Sequence, residues 1–200
     1  MNLIMEPLLI EAFKDKVPNA TDTYRTVLDA MSRPARVRPL PVITGTPDGL
    51  RAGSVAVLLT LADTDTPVWL APECDTAIAR EYLRFHVGCP ITGTPSQAAF
   101  AVMTTRSDST ALEAMPLGTA EYPDRSATII VESDDLIGNT GPRFTGPGIE
   151  HYRRFEIAET PDDLWPRIAD NSLLFPRGLD WIFVSSTHIA ALPRSTKVEM

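Results

Sequence analysis

Prolines and glycines punctuate the whole chain and limit the length of its helices and strands. The sequence has 18 prolines and 11 glycines in 200 residues, with no internal repeat and no low-complexity segment. Because both residues interrupt regular structure, they predict many short elements joined by turns and exclude a bundle of long helices. The length suits one hydrophobic core, so we expect a single domain over 1–200, with 1–20 as an N-terminal extension or helix.

Hydrophobic spacing predicts helices that alternate with strands. Helices are predicted at 22–32, 54–61, 74–88, 109–115 and 161–174. The first could also start at Glu11 with a break at Pro18, and the second, a short apolar run, could be a strand, although its Ala and Leu content favours a helix. Two of the helices have an apolar stripe at helical spacing, formed by Tyr24, Val27, Leu28 and Met31 in one and by Ile78, Tyr82, Leu83 and Phe85 in the other.

Apolar and β-branched runs predict the strands. They lie at 68–71, 98–104, 127–131, 180–185 and 189–192, and the last two are expected to complete the sheet. Three prolines make 37–43 an edge strand or an extended arm, and 144–149 contains a turn. Strands that alternate with helices predict an α/β fold, a three-layer α/β/α sandwich with a mixed sheet.

The charge balance bears on which partners the chain can bind. With 18 basic and 26 acidic residues the net charge is −8, which disfavours nucleic acids and anionic membranes but allows a local basic patch to hold a small phosphate compound. No secretory signal is evident, and the longest apolar stretch, 54–62, is too short to span a membrane. We therefore expect a cytoplasmic protein with Cys74 and Cys89 as reduced thiols.

The common catalytic motifs are absent from the sequence. It lacks the GxxxxGK[ST] phosphate loop, the GxGxxG fingerprint, the GxSxG elbow and the HExxH zinc motif. The three histidines and two cysteines do not follow zinc-finger spacing. No metal site is expected, and no catalytic residue can be named.

Two basic segments are candidates for an anion site. Arg33, Arg36 and Arg38 lie close together in one, and Arg194 and Lys197 flank a Ser-Thr pair in the other. If the segments meet, guanidinium groups and hydroxyls would form a phosphate or carboxylate pocket. Equally, these cations could pair with acidic neighbours or with a partner surface.

Two further features have a functional and a structural interpretation. His86, near the end of a predicted helix, could bind an anion or act in acid-base chemistry, but a packing or capping role is the more common one. The turn 145–148 could present backbone amides to an anion, although such turns more often only reverse the chain. The anion-binding set predicted from the sequence is Arg33, His86, Arg194 and Thr196.

Several motifs, taken in order, resemble one family. They are YRTVLDAMSRPA at 24–35, LRFHVGCP at 83–90, SAT at 126–128, TGPGI at 145–149, FPRGLD at 175–180 and LPRST at 192–196. The set resembles the PhnH family, a subunit of the bacterial carbon-phosphorus lyase core complex. Ala35 stands where that family usually has glycine, which bears on whether the backbone there takes a positive φ.

The resemblance implies a function in phosphonate catabolism. A member of the family would join the G, I and J subunits, and would form a homodimer when isolated. The assembly makes ribose 1-phosphonate 5-triphosphate from ATP and an alkylphosphonate, and this chain would be an accessory subunit of that multi-subunit transferase, the ribose 1-methylphosphonate 5-triphosphate synthase. The alternative is a stand-alone enzyme or small-anion binding protein with an arginine and histidine pocket.

The resemblance also implies a fold like that of pyridoxal-phosphate-dependent transferases. Such enzymes hold their cofactor through a lysine Schiff base. The chain has 15 arginines but only three lysines, and residues 17–196 contain none. We therefore expect no cofactor.

Overall fold

The computed structural model describes residues 10–41 and 44–199, and these residues form four α-helices, ten strands and three short 3₁₀ helices. The helices are α1 (Lys16–Ser32), α2 (Ala52–Leu61), α3 (Ala77–His86) and α4 (Leu164–Ser172). The strands are β1 (Arg38–Pro39), β2 (Val68–Leu70), β3 (Ile91–Thr92), β4 (Phe100–Thr104), β5 (Thr128–Glu132), β6 (Leu136–Thr145), β7 (Arg153–Ile157), β8 (Asp180–Val184), β9 (His188–Leu192) and β10 (Lys197–Glu199). The 3₁₀ helices are Pro95–Gln97, Ser109–Ala114 and Pro123–Arg125.

Seven strands form the main sheet in the order β1-β9-β8-β5-β4-β2-β3. Five adjacent strands of this sheet, β8, β5, β4, β2 and β3, run parallel to one another, whereas β9 pairs antiparallel with both β8 and β1. This arrangement confirms the predicted mixed sheet. The short strand β1 lies at an edge, where the missing amide of Pro39 costs no ladder hydrogen bond.

The central strands are buried on both faces. Consecutive residues of β5 and β8, such as Ile129, Ile130, Trp181 and Ile182, are almost inaccessible to solvent. Because neighbouring residues of a strand point to opposite faces, both faces of the sheet are covered. The near-continuous apolar sequences of these strands, which predicted them, follow from this double burial.

A second sheet of three strands, in the order β10-β6-β7, packs against the first. The contact is aromatic: Phe155 of β7 lies 5.3 Å from Phe183 of the main sheet, and Phe144 of β6 and Phe155 each lie 5.5 Å from Trp165 of α4, measured between ring centroids. Edge-to-face pairs of this kind add to the apolar burial of the rings. Neither the β6–β7 ribbon nor β10 was predicted, and β9 is therefore not the last strand.

Helix α1 begins earlier than the favoured prediction and is not broken at Pro18. The helix starts at Lys16, so Pro18 lies in its first turn, where an amide has no intrahelical partner to lose. Its buried face also differs from the predicted stripe, because Tyr24 and Leu28 are exposed while Thr23 and Val27 face the core.

Helix α3 is shorter than the predicted 74–88 at both ends, because it spans Ala77–His86. The Thr76 hydroxyl caps its start by accepting a hydrogen bond from the Ala79 amide at 3.0 Å. Gly88, with φ of 80°, follows its last turn. Tyr82 and Leu83 are buried as expected, but Phe85 is exposed, so that part of the predicted stripe is wrong.

The remaining helical predictions hold with small changes. Helix α4 forms within the predicted 161–174, α2 starts two residues before the predicted 54–61, and 109–114 is a 3₁₀ helix. Only Arg38–Pro39 of the predicted edge segment 37–43 forms a strand, and residues 42–43 lie outside the described part of the chain. Residues 1–9 of the predicted N-terminal extension also lie outside it.

Candidate functional site

Arg33 and Arg38 share one carboxylate. Arg33 is the residue after α1, and its guanidinium pairs with Asp29 one turn earlier. Arg38 reaches the other oxygen of the same carboxylate from β1. The two basic residues thus neutralise an acidic neighbour, which was the structural alternative in the sequence, while Arg33 remains more than half exposed.

His86 is the last residue of α3 and is held by packing and one hydrogen bond. Its Nε2–H donates to the Ile10 carbonyl at 3.0 Å, and its ring lies 4.5 Å from that of Tyr82. Burial lowers the pKa of His86, and Lys16 adds to this effect, although the bond to Ile10 opposes it. The imidazole is therefore neutral at pH 7.

Arg194 is the centre of a hydrogen-bond network that joins three parts of the chain. Its Nε lies 3.2 Å from Asp180 at the start of β8, and its Nη2 donates to Ser126 Oγ at 2.6 Å and to Asp180. Nη1 donates to the Pro123 carbonyl. These contacts connect β8, the segment before β5 and the end of β9. Only 15% of the Arg194 side chain is exposed, so its charge-assisted hydrogen bonds stabilise the fold.

Three of the six segments that resemble the PhnH family meet at one place. The Ala35 amide donates to the Ala191 carbonyl at 3.0 Å. A Cβ on Gly148 would overlap the Ser32 carbonyl oxygen and lie 2.8 Å from Pro34 Cδ, so the 145–149 turn needs glycine to approach the end of α1. We call this meeting of 32–35, 145–149 and 191–196 the motif junction.

Thr196 lies in the motif junction with an unsatisfied hydroxyl. Its Cα would be 3.5 Å from a Cβ on Gly146, and its side chain is buried. Within residues 10–41 and 44–199 its Oγ1 has no hydrogen-bond partner. The structure thus places Arg33, Arg194 and Thr196 in segments of the junction and His86 outside them, but no hydrogen bond or ion pair among the described residues joins any two of the four.

Glu132 is a buried carboxylate that the sequence reasoning missed. It ends β5, is 3% exposed, and accepts a hydrogen bond from the Arg51 amide at 2.7 Å. Burial raises the pKa of Glu132, and the Arg51 amide only partly opposes this. An acidic residue directly after the run 128–131, at the carboxyl end of a parallel strand, was the signal that could have identified it.

The thiols and acidic groups give no sign of a metal centre. Cys74 and Cys89 are both free and buried, and burial raises the pKa of Cys89 to about 11. In the part of the chain that the structure describes, no three histidine, cysteine or acidic side chains are grouped as metal ligands.

A cavity of about 420 Å³ lies beside the motif junction. It is formed by 35–37, by Gly138 and Asn139 of β6 and by 152–154, and we call it the arginine cavity because Arg36, Arg153 and Arg154 line it. Of these three only Arg36 belongs to a basic segment singled out from the sequence. The other two were missed because their segment has no apolar pattern that marks β7 as a strand.

No helix among the described residues is long and apolar enough to cross a membrane.

Comparison with known proteins gives a consistent result over nearly the whole chain. Residues 11–199 match the family model described as "Bacterial phosphonate metabolism protein (PhnH)". A Rhizobium meliloti (strain 1021) protein named alpha-D-ribose 1-methylphosphonate 5-triphosphate synthase subunit PhnH is 37% identical over 191 residues, which is 94% of each chain. A Stutzerimonas stutzeri protein named putative C-P lyase subunit protein HtxG is 28% identical over 187 residues, 92% of this chain and 88% of its own.

Proposed function

The chain belongs to the PhnH family of bacterial phosphonate metabolism proteins, and from this we propose that it is a subunit of the carbon-phosphorus lyase complex. In that complex it supports formation of ribose 1-phosphonate 5-triphosphate from ATP and an alkylphosphonate. The observation that carries the proposal is the 37% identity, over 94% of both chains, to a protein named as a subunit of that synthase.

The contacts of the charged side chains favour an accessory role over a catalytic one. Arg33 and Arg194, two of the polar groups predicted from the sequence, are already paired with Asp29 and Asp180. Reactive groups usually stand in a cleft with a base or an electrophile beside them, whereas Arg33 pairs with the last turn of its own helix and Arg194 joins separate elements of the fold. An anion site formed by Arg33, His86, Arg194 and Thr196 stays a prediction, and its ligand would have to compete with those carboxylates.

The finer parts of the proposal come from the family resemblance. The partners are the G, I and J subunits, the isolated chain is a homodimer, and the assembly works in the cytoplasm. The three-layer arrangement and the likeness to pyridoxal-phosphate-dependent transferases are part of the same proposal. No lysine lies between residues 17 and 196, so the chain would have such a fold without the Schiff-base residue.

Co-expression tests this proposal. The chain, with an affinity tag, is produced together with the G, I and J subunits from the same genome, and the purified material is separated by size. We expect all four proteins to elute together, and the tagged chain produced alone to elute as a dimer. An unrelated acidic protein with the same tag is the control for charge-driven association.

The proposal fails if the folded chain elutes without the other three subunits while those three still associate. Elution of the isolated chain as a monomer would contradict the proposed homodimer but not the proposed assembly with the other subunits.

A further inference from the structure

Three arginines line the arginine cavity, and none of them has an acidic partner among the described residues. Its lining contains Arg36, Arg153 and Arg154 but no acidic residue. Within 10–41 and 44–199, no carboxylate oxygen lies within 4.0 Å of these three guanidinium groups. In a protein with 26 acidic residues and a net charge of −8, an acid-free group of three arginines is unexpected.

Two arginines of the β6–β7 ribbon lie opposite each other, and their positive charges repel. Arg154 of β7 stands directly opposite Arg143 of β6 in the antiparallel pair. Like charges in that position repel each other across the ladder. Glu199, at 3.4 Å, and the ring of Tyr152, at 4.5 Å, offset the positive charge of Arg143. Among the described residues Arg154 instead donates one hydrogen bond, to the Gly141 carbonyl at 3.3 Å, which offsets no charge. A bound anion would supply the missing negative charge.

The cavity wall departs from regular strand structure. The pairing of β6 with β7 is interrupted between Gly138 and Arg143, and Asn139 has a φ of 64°, in the left-handed region. Asparagine adopts that conformation more readily than other residues with a side chain, so this position is a local turn within the strand. The irregularity opens the ribbon beside Arg36 instead of closing it into a continuous ladder.

Arg153 and Arg154 are neighbours at the start of β7 and leave opposite faces of the strand, so they border the cavity from its two sides. Arg36, Arg153 and Arg154 are all exposed, and Tyr152 adds a phenol at the rim. Each guanidinium has a planar set of N–H donors that matches the oxygens of a phosphate or phosphonate. About 420 Å³ also lies in the size range of small-molecule sites and exceeds what one phosphate group requires.

We propose that the arginine cavity is a binding site for a polyanion with several phosphate groups, such as the triphosphate group of a nucleotide or sugar. Three unpaired cations favour a ligand with three or four negative charges over a singly charged one. The site lies beside the motif junction, so a bound polyanion would rest against Ala35 and the end of α1. The class of ligand rests on the charges in the cavity, and only its assignment as a triphosphate substrate or product rests on the proposed function.

Calorimetric titration of the purified full-length chain tests the proposal. The probes are inorganic triphosphate, ATP, methylphosphonate and phosphate at low ionic strength. We expect triphosphate and ATP to bind with similar affinity, methylphosphonate and phosphate to bind much more weakly, and added salt to weaken all binding. Each of Arg36→Gln, Arg153→Gln and Arg154→Gln should weaken triphosphate binding by roughly tenfold.

Arg84→Gln is the matched control, because Arg84 is exposed, outside the cavity, and its loss changes the net charge equally. It should leave the affinity within about twofold. Arg153→Lys keeps the charge but loses the planar donor set, and it should give an intermediate affinity. The midpoint of thermal unfolding, measured without ligand, checks that each variant is folded.

The proposal is overturned if the folded wild-type chain does not bind triphosphate at millimolar concentration, or if the three cavity variants bind it as the control does. It is also overturned if ATP binds and triphosphate does not, because recognition would then depend on the base. None of these results bears on whether the chain assembles with the lyase subunits, so the two proposals fail separately.

Discussion

Ala35 adopts a backbone conformation that is unfavourable for alanine. Its φ is 59°, in the left-handed region that glycine adopts freely, and its methyl group is buried. The family resemblance, which gives glycine at this position, suggested that the substitution bore on a positive φ, and the structure has that φ with alanine in place. Alanine there costs about 1 kcal/mol relative to glycine.

Ala35→Gly should therefore leave the free energy of unfolding nearly unchanged. Relief of about 1 kcal/mol of backbone strain offsets the loss of about 0.8 kcal/mol from the buried methyl group. The matched control is Ala30→Gly in α1, where the same atoms are removed from a fully buried helical residue and about 2 kcal/mol should be lost. Urea unfolding of both variants measures the difference, and equal losses would contradict the account.

Glu132 makes stability depend on pH. Because burial raises its pKa above the 4.5 of a free glutamate, the folded state holds the proton to a higher pH than the unfolded state. Its contribution to stability is therefore complete below about pH 4.5 and is lost as the pH rises through the folded pKa.

Glu132→Gln should gain stability relative to the wild type as the pH rises from 4.5 to 8. The amide carbonyl can still accept from the Arg51 amide, but it has no charge to bury. Urea unfolding at several pH values measures the change, with Glu150→Gln as control because Glu150 is 90% exposed. A difference between variant and wild type that stays constant or shrinks as the pH rises would show that Glu132 is not the titrating group.

At the scale of elements, the motif junction explains why three distant sequence segments are linked. The 145–149 turn approaches the end of α1 so closely that Gly148, with φ of 81°, has no space for a Cβ. The Arg194 network holds the third segment against the start of β8. The sequence motifs thus coincide with contacts of the fold, and one of them borders the arginine cavity through Ala35.

Gly148→Ala should destabilise the protein by at least about 2 kcal/mol, since it combines an unfavourable φ with an overlap on the Ser32 carbonyl. Gly93→Ala is the control, because no atom lies within 4 Å of the position its Cβ would take, and it should change stability by less than about 0.5 kcal/mol. Thermal or urea unfolding compares the two. If the two variants have the same free energy of unfolding, the 145–149 turn does not approach the end of α1 as closely as the structure shows.

Strands of the main sheet could be predicted because burial on both faces leaves a continuous apolar sequence, as in 127–131. The β6–β7 ribbon could not, since β6 has one buried residue at each side of a Gly-, Asn- and Pro-containing centre and resembles a loop. What makes it a strand is the packing of Phe144 and Phe155 on Trp165, which lies in a later helix. That information is not local in the sequence.

The same limit applies to the candidate anion site. Arg33, Arg36 and Arg38 look alike in the sequence. Only the folded chain shows that Asp29 forms ion pairs with Arg33 and Arg38, and that Arg36 has no acidic partner among the described residues. The spacing of Asp29 and Arg33, four residues apart on a helix, could have indicated the first pair. The meeting of Arg36 with β7 could not be predicted without the ribbon.

At the scale of the whole molecule, the distribution of charge connects the fold with the proposed function. Many of the 15 arginines pair with acidic residues across elements, as Arg194 does with Asp180, so they contribute to the fold of an acidic protein. The arginine cavity differs from that pattern, because three of the arginines that have no acidic partner among the described residues lie together there. A subunit that contacts a polyphosphate compound without transforming it fits both observations.

Growth on a phosphonate tests the central claim most directly. The gene for this chain is deleted in its source bacterium, and growth is measured with either methylphosphonate or phosphate as the sole source of phosphorus. The account predicts normal growth on phosphate, no growth on methylphosphonate, and recovery when the intact gene is returned on a plasmid. Growth of the deletion strain on methylphosphonate at the wild-type rate would contradict a role for this chain in carbon-phosphorus bond cleavage.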